Sequence, residues 1–267
     1  AAGPVRGRCQ RGRLPRQRQG LLRERSPPGG RWRRLDQPAD PAAARGEMTV
    51  RNLLLTGGIY HPFAETSGAI RDALSADGIE SRVMPVPEGL ARLAEDRFDL
   101  LTVNALAFSM TQAEKYAPLR ARHAFVASAA ERAAIREHLA GGGGLLGIHT
   151  AAICFDGWAE WPEILGAGWV WGQSHHPMPE YVTVEGDGGF TLWDELYCGL
   201  DLAPGTEILA RATSESVHEP QPVLTRKGRA VYLALGHDLT GVLTDGYARM
   251  LRRAARLALG EDDGGGR

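Results

Sequence analysis

From Val50 onward the apolar and polar positions follow two alternating periods. The run "VRNLLLTGG" (Val50–Gly58) is short, apolar and closed by glycines, and "AETSGAIRDALSADG" after it carries apolar residues at helical spacing as far as Gly78. This is one strand–helix unit. The pattern then predicts a strand at "SRVMPVP", a short helix at "EGLARLAEDR" and a third strand at "FDLLTVNALAF", whose unbroken apolar content implies burial on both faces. The polar stretch Ser109–Val126 has no readable period. Next, "SAAERAAIREHLAGGGG" begins with Ser128 three residues before Glu131, a capping box, and ends in glycines that stop a helix. The strand "GLLGIH" follows at once.

Strands alternating with helices imply a mostly parallel sheet covered on both faces. Beyond Trp158 the segments "PEYVTVEG", "GFTLWDELY", "TEILARATS", "PVLTRK" and "RAVYLALGHD" are short, strand-like and separated by Gly and Pro. They read as an antiparallel extension of the sheet, and "TDGYARMLRRAARLALG" as an amphipathic helix packed back onto it. No internal repeat interrupts this series.

A chain of 267 residues with 43% hydrophobic content can build a real core. The net charge of -1 conceals an asymmetry: residues 1–47 hold twelve Arg and four acids, about +8, and the rest holds 19 bases and 28 acids, about -9. Clustered Arg can neutralise phosphates, but a body near -9 repels them, and the Arg/Gly/Pro/Ala composition reads as a disordered leader translated from upstream high-GC sequence. The expected organisation is therefore a leader at 1–47, one α/β domain at 48–260 and a disordered tail at 261–267. Cys9, Cys154 and Cys198 are few, odd in number and lack CxxC spacing, so neither a disulfide framework nor a zinc knuckle is indicated. No apolar stretch approaches membrane-spanning length and no signal-peptide core is visible, so a cytoplasmic location is expected.

Candidate chemistry gathers at predicted strand ends. In Gly147-Ile148-His149-Thr150-Ala151 small residues flank His149 as in an elbow, where a sharp strand-to-helix turn pushes one side chain into the ligand crevice. Imidazole there carries protons or binds metal, and cysteine-based amide hydrolysis is excluded because Cys154 lies five residues further on. His61 follows the first strand and His237-Asp238 ends the last, so parallel neighbours would bring three imidazoles to one crevice. His175, His176, Asp194 and Glu195 add potential partners, whereas His123, His138 and His218 read as surface residues. Five tryptophans between Trp158 and Trp193 divide between core packing and flat walls for a sugar ring, with Trp169 and Trp171 on one face if "GWVWG" is a strand.

Taken together, "LLLTGGIYHP", "GGGGLLGIHTAA", "WPEILGAGW", "SHHP", "TLWDELY" and "VYLALGHD" resemble the ThuA-like family, associated with trehalose and related sugar utilisation, from about Met48 to Gly260. The resemblance implies a flavodoxin-like three-layer sandwich related to class I glutamine amidotransferases, with histidine where those enzymes carry cysteine. It also implies a pocket of His61, His149, His176, Asp194, Glu195, His237 and Asp238. The chain departs from the family at "QPVLTRKGR", with Leu224 in place of a tryptophan, and over Ser109–Val126.

The expected function is binding of a sugar or keto-sugar, with His149, Glu195 and His237 as acid–base groups and His61, His176, Trp171, Asp194 and Asp238 holding the substrate. The reaction would be of isomerase, lyase or hydrolase type; the alternative is a non-catalytic sugar-binding or regulatory module. A two-carboxylate glycosidase is disfavoured, because Asp194 and Glu195 are adjacent and point to opposite faces of a strand. A divalent metal on His61, His149 and His237 stays open, although no HxH or HExxH spacing supports it. Neither nucleic acid nor membrane is expected as a partner, and homo-oligomerisation stays open.

Overall fold

A computed structural model describes residues 49–186 and 188–261. The leader expected at 1–47, with Cys9, and the tail from residue 262 lie outside the described residues. The chain begins with β1 (Val50–Gly57), α1 (Phe63–Ser75), β2 (Ile79–Pro85), α2 (Val86–Glu95) and β3 (Leu100–Ala105). The segment without a readable period contains a single 3-10 turn at Glu114–Tyr116 and α3 (Ala117–His123), followed by α4 (Ala129–Ala140) and β4 (Gly144–Ile148). After a 3-10 turn at His149–Ala152 come α5 (Trp161–Leu165), β5 (Ala167–Gly168), β6 (Glu180–Glu185), β7 (Phe190–Asp194), β8 (Asp201–Leu202), β9 (Glu207–Ser214), β10 (Gln221–Lys227), β11 (Ala230–Leu233), α6 (Leu239–Val242) and α7 (Asp245–Ala258).

Nine of these strands form one sheet in the order β2-β1-β3-β4-β11-β10-β9-β6-β7. The first five run parallel, and β10, β9, β6 and β7 continue the sheet antiparallel. The structure is thus the expected mostly parallel α/β sandwich with an antiparallel extension. Helices α1 and α7 pack together over the parallel strands, while α2 and α4 pack together on the other face. Every residue of β3 and β4 is buried, as a doubly covered sheet requires, including the polar Thr102 and Asn104 of β3.

Buried polar residues on these strands are paired. Thr102 donates to Asn52 Oδ1 at 2.9 Å, Asn52 donates to Ser81, and Asn104 donates to Thr66 and Ser67, which ties β3 to β1, β2 and α1. The capping box of α4 is present, with Ser128 Oγ accepting from Glu131 N and the Glu131 carboxylate accepting from Ser128 N. At Gly144 a Cβ would overlap the Ala258 carbonyl, so the end of the glycine run is what lets α7 approach β4.

Three sequence expectations are corrected. The third strand stops at Ala105, where Leu106 N donates the last ladder bond to Gly57 O at 2.8 Å and the neighbouring β1 also ends. "GWVWG" is not a strand: only Ala167–Gly168 pairs, with β8, and a turn follows Trp169 and Val170. His138 is not a free surface group, since its ring is half-buried over Gly143 with Nε2 2.9 Å from Gly144 O.

Candidate functional site

The carboxyl ends of β1, β4 and β11 deliver one histidine each. Beyond β1, Gly57 and Gly58 take positive φ, and the chain turns so that His61 reaches back toward the sheet with Nδ1 3.2 Å from Ile59 O. At the end of β4, His149 itself adopts φ 46°, the strained left-handed geometry of an elbow. This conformation is held from several sides. Tyr232 Oη donates to His149 O at 2.7 Å, Thr150 Oγ1 donates to Ala105 O at 2.6 Å, and Trp161 Nε1 donates to Ala151 O at 2.8 Å. Small flanking residues are required, because a Cβ on Gly147 would come within 2.6 Å of Leu165 Cδ1 and 3.1 Å of Ala151 Cβ.

Beyond β11, Gly236 takes φ 117° and presents His237. That turn is fixed by Asp194, which is fully buried and accepts from Gly236 N at 2.8 Å, His237 N at 3.1 Å and Glu195 N at 2.8 Å. Asp194 thus lies beneath the site as a clasp, and not in it as a substrate ligand. Because β7 ends at Asp194, the next side chain, Glu195, emerges among the imidazoles, in agreement with the opposite orientation expected of adjacent residues.

The three rings do converge. Their centroids lie 5.2 Å apart for His61 and His149, 4.9 Å for His61 and His237, and 5.7 Å for His149 and His237. Glu195 sits among them and near a fourth imidazole. Its Oε2 is 3.4 Å from His149 Nε2, and its Oε1 is 3.3 Å from His237 Nε2 and 3.4 Å from His176 Nδ1. These are ion-pair separations without hydrogen-bond geometry, so His149 Nε2 is left with no hydrogen-bond partner, as are His61 Nε2 and His237 Nδ1. Asp238 stands outside the cluster: it caps α6 through Thr240 N at 2.7 Å and lies 3.5 Å from His237 Nδ1.

The electrostatics separate the imidazoles. Burial, reinforced by the neighbouring His149, lowers His61 from 6.5 to about 3, which keeps it neutral. Burial also opposes charge on His149, but the Glu195 carboxylate beside it and the charge of Asp194 outweigh burial and raise its pKa. Glu195 is lowered on balance: burial pushes it up, and the adjoining His149, with His176 and His237 behind it, pulls it further down. Asp194 is raised by burial against the pull of His149 and of its three backbone donors. Cys154 is no nucleophile, since burial pushes its thiol up to about 12 and its Sγ donates to Ala105 O at 3.0 Å.

Among the described residues, one trio of potential ligand atoms lies close together. Ligand atoms of His61, His149 and Glu195 lie within 4.8 Å of one another, whereas His237 is turned toward Glu195 Oε1 and Asp238. That trio shares His61 and His149 with the candidates named from the sequence and has Glu195 as its third member.

Of the tryptophans, Trp158 and Trp161 are core, and Trp193 packs on Tyr181 on the outer face of β6 and β7. Trp171 stacks on Phe108 at 6.0 Å and is 38% exposed. Trp169 is the ring linked to the cluster, 6.1 Å from His176 and 4.9 Å from Tyr197. Tyr197, 4.3 Å from His149, is missed by sequence reasoning, although it closes the same "WDELY" block as Glu195.

The family model described as "ThuA: Trehalose utilisation" matches residues 56–258. Among solved structures, a ThuA-like protein from Parabacteroides merdae superposes with TM-score 0.60 at 16% identity over 79% of this chain and 90% of its own. One from Bacteroides uniformis gives 0.59 at 17% identity over 80% and 93%. No curated protein matches the chain. The likeness to the two solved structures extends to the fold alone, but the family model spans the elbow, the clasp and every histidine of the cluster, and the chain belongs to the ThuA family.

Proposed function

We propose that this chain binds a sugar or keto-sugar in the crevice above β1, β4 and β11 and exchanges protons with it through His149 and Glu195. The observation that carries the reading is the buried pair itself, a raised imidazole 3.4 Å from a lowered carboxylate. Opposed pKa values in one cavity divide the roles of acid and base. Glu195 takes a proton from a carbon or hydroxyl beside a carbonyl, and His149 donates one to the oxygen where negative charge develops. Neutral His61 accepts from a hydroxyl, His237 and His176 contact the outer carboxylate oxygen, and Trp169 offers an apolar face to the ring. Carbohydrate as the substrate class rests on the family's link to trehalose utilisation.

The test is a thermal-shift screen of the full chain with sugars and their keto derivatives, repeated for Glu195→Gln, which preserves shape and removes the charge. Stabilisation by a sugar that is lost in the variant is expected, followed by consumption of that sugar in solution. Stabilisation retained in Glu195→Gln, with no turnover by either protein, would favour a non-catalytic sugar-binding module. Indifference of both proteins would remove the sugar reading.

A further inference from the structure

With the imidazoles neutral, the polar atoms at the centre of the cluster are hydrogen-bond acceptors facing each other. A backbone carbonyl can only accept, so the contacts of His61 Nδ1 with Ile59 O at 3.2 Å and of His149 Nδ1 with Ala234 O at 2.8 Å place a hydrogen on each Nδ1. In the neutral rings both Nε2 lone pairs then point inward, and neither has a hydrogen-bond partner. The third group, Glu195, brings a carboxylate. Lone pairs and a negative charge facing one another in a buried space repel unless a cation lies between them. A proton on His149 serves only one of these contacts and leaves His61 Nε2 without a partner.

The spacing fits a larger cation. Two donors each about 2.1 Å from a tetrahedral ion are roughly 3.4 Å apart. His149 Nε2 and Glu195 Oε2 are separated by 3.4 Å, too long for a good hydrogen bond, and all three ligand atoms lie within 4.8 Å of one another. Pinning of Nδ1 by a carbonyl is also how metal-binding imidazoles are held in orientation and tautomer.

We propose that His61 Nε2, His149 Nε2 and the Glu195 carboxylate bind one divalent transition-metal ion of the Zn, Mn or Fe class. Two imidazoles and one carboxylate are too nitrogen-rich for Ca or Mg, and three protein ligands leave open positions for a substrate oxygen. His237, facing the outer oxygen of Glu195, stays outside this ligand set. The site follows from the donor set alone and stands without the sugar reading; with an ion bound, His149 Nε2 and the Glu195 carboxylate serve as ligands, so the proton exchange assigned to them above belongs to the metal-free protein.

The experiment is a titration of the chelator-stripped full chain with Zn2+ and Mn2+, without sugar, by calorimetry and by metal-dependent thermal shift. One equivalent should bind and raise the melting temperature of the wild type. His61→Ala, at a half-buried position, and Glu195→Gln should each weaken binding by at least about 100-fold, more than removal of an outer-shell partner would. His175→Ala, outside the cluster, should bind as the wild type does, and circular dichroism confirms that the variants are folded. Absence of stoichiometric binding by the wild type, or equal binding by all the proteins, overturns the proposal. Sugar-induced stabilisation measured separately on stripped protein keeps this result distinct from success or failure of the sugar reading.

Discussion

Asp194→Asn tests the architecture of the site directly, because one carboxylate fixes the turn that presents His237. Its oxygens accept N–H groups from Gly236, His237 and Glu195 at 2.8, 3.1 and 2.8 Å, and none of these partners could accept a proton from a protonated carboxyl. These donors, with the nearby His149, favour the charged form against the burial that raises its pKa. Asparagine is nearly isosteric but carries a donor on one side. If its oxygen replaces Oδ1 it keeps two bonds, and its amide nitrogen then faces the Gly236 N–H. One charge-assisted bond is lost, one buried donor is left unsatisfied, and the remaining bonds weaken to neutral ones. The sum is about 3–5 kcal/mol. With a urea slope of about 3 kcal/mol/M for a domain of this size, the unfolding midpoint should fall by roughly 1–1.5 M at unchanged slope. Amide hydrogen exchange at Gly236 and His237 should quicken in parallel. A variant that unfolds within about 1 kcal/mol of the wild type, with exchange at those amides unchanged, would refute an ionised clasp.

Further expectations follow from individual residues. Because the folded His61 pKa of about 3 lies below 6.5, the unfolded chain binds a proton between those values that the folded chain does not. Metal-free protein should thus lose up to about 1.4 kcal/mol per pH unit from His61 as pH falls from 6.5 toward 3. Comparison of urea midpoints across pH with His61→Ala, in which that component of the slope is absent, checks it. His149, raised, contributes the opposite sign: its stabilisation is present below pH 6.5 and fades as pH rises through its folded value. Gly236→Ala should cost about 1–3 kcal/mol through backbone strain alone. Its φ is 117° and the new Cβ would lie 2.6 Å from Tyr247 Oη, so weakened ligand or metal binding should accompany the lower melting temperature. Ser128→Ala removes the capping box far from the site and should lower the melting temperature by about 2–4 °C, with binding at the histidine cluster unaffected.

Much of this protein is decided by local physics that a linear sequence displays. The capping box at Ser128 and Glu131, the apolar run of β3 and the glycine stop before β4 act within a few residues, so period and turn chemistry reveal them. The elbow at His149 is legible for the same reason, since its small flanks are needed wherever a strand turns sharply. Parallel strand order then implies that residues at successive carboxyl ends share one crevice, which is why His61, His149 and His237 can be grouped although 176 positions separate the first from the last.

Tertiary structure alone decided the division of labour within that crevice. Whether Asp194 or Glu195 faces the imidazoles depends on where β7 ends and on which backbone donors a distant turn supplies. Ring tautomers depend on the carbonyls of Ile59 and Ala234, which belong to other segments or to a turn whose path no period encodes. Trp169, Tyr197 and His176 come together through the irregular stretch between β5 and β6, where pairing of His175 with Cys198, and not any alternation of side chains, sets the geometry. Hydrophobic periodicity records which face of an element is buried; the direction of a lone pair is set by contacts between elements, and those exist only once the chain has folded.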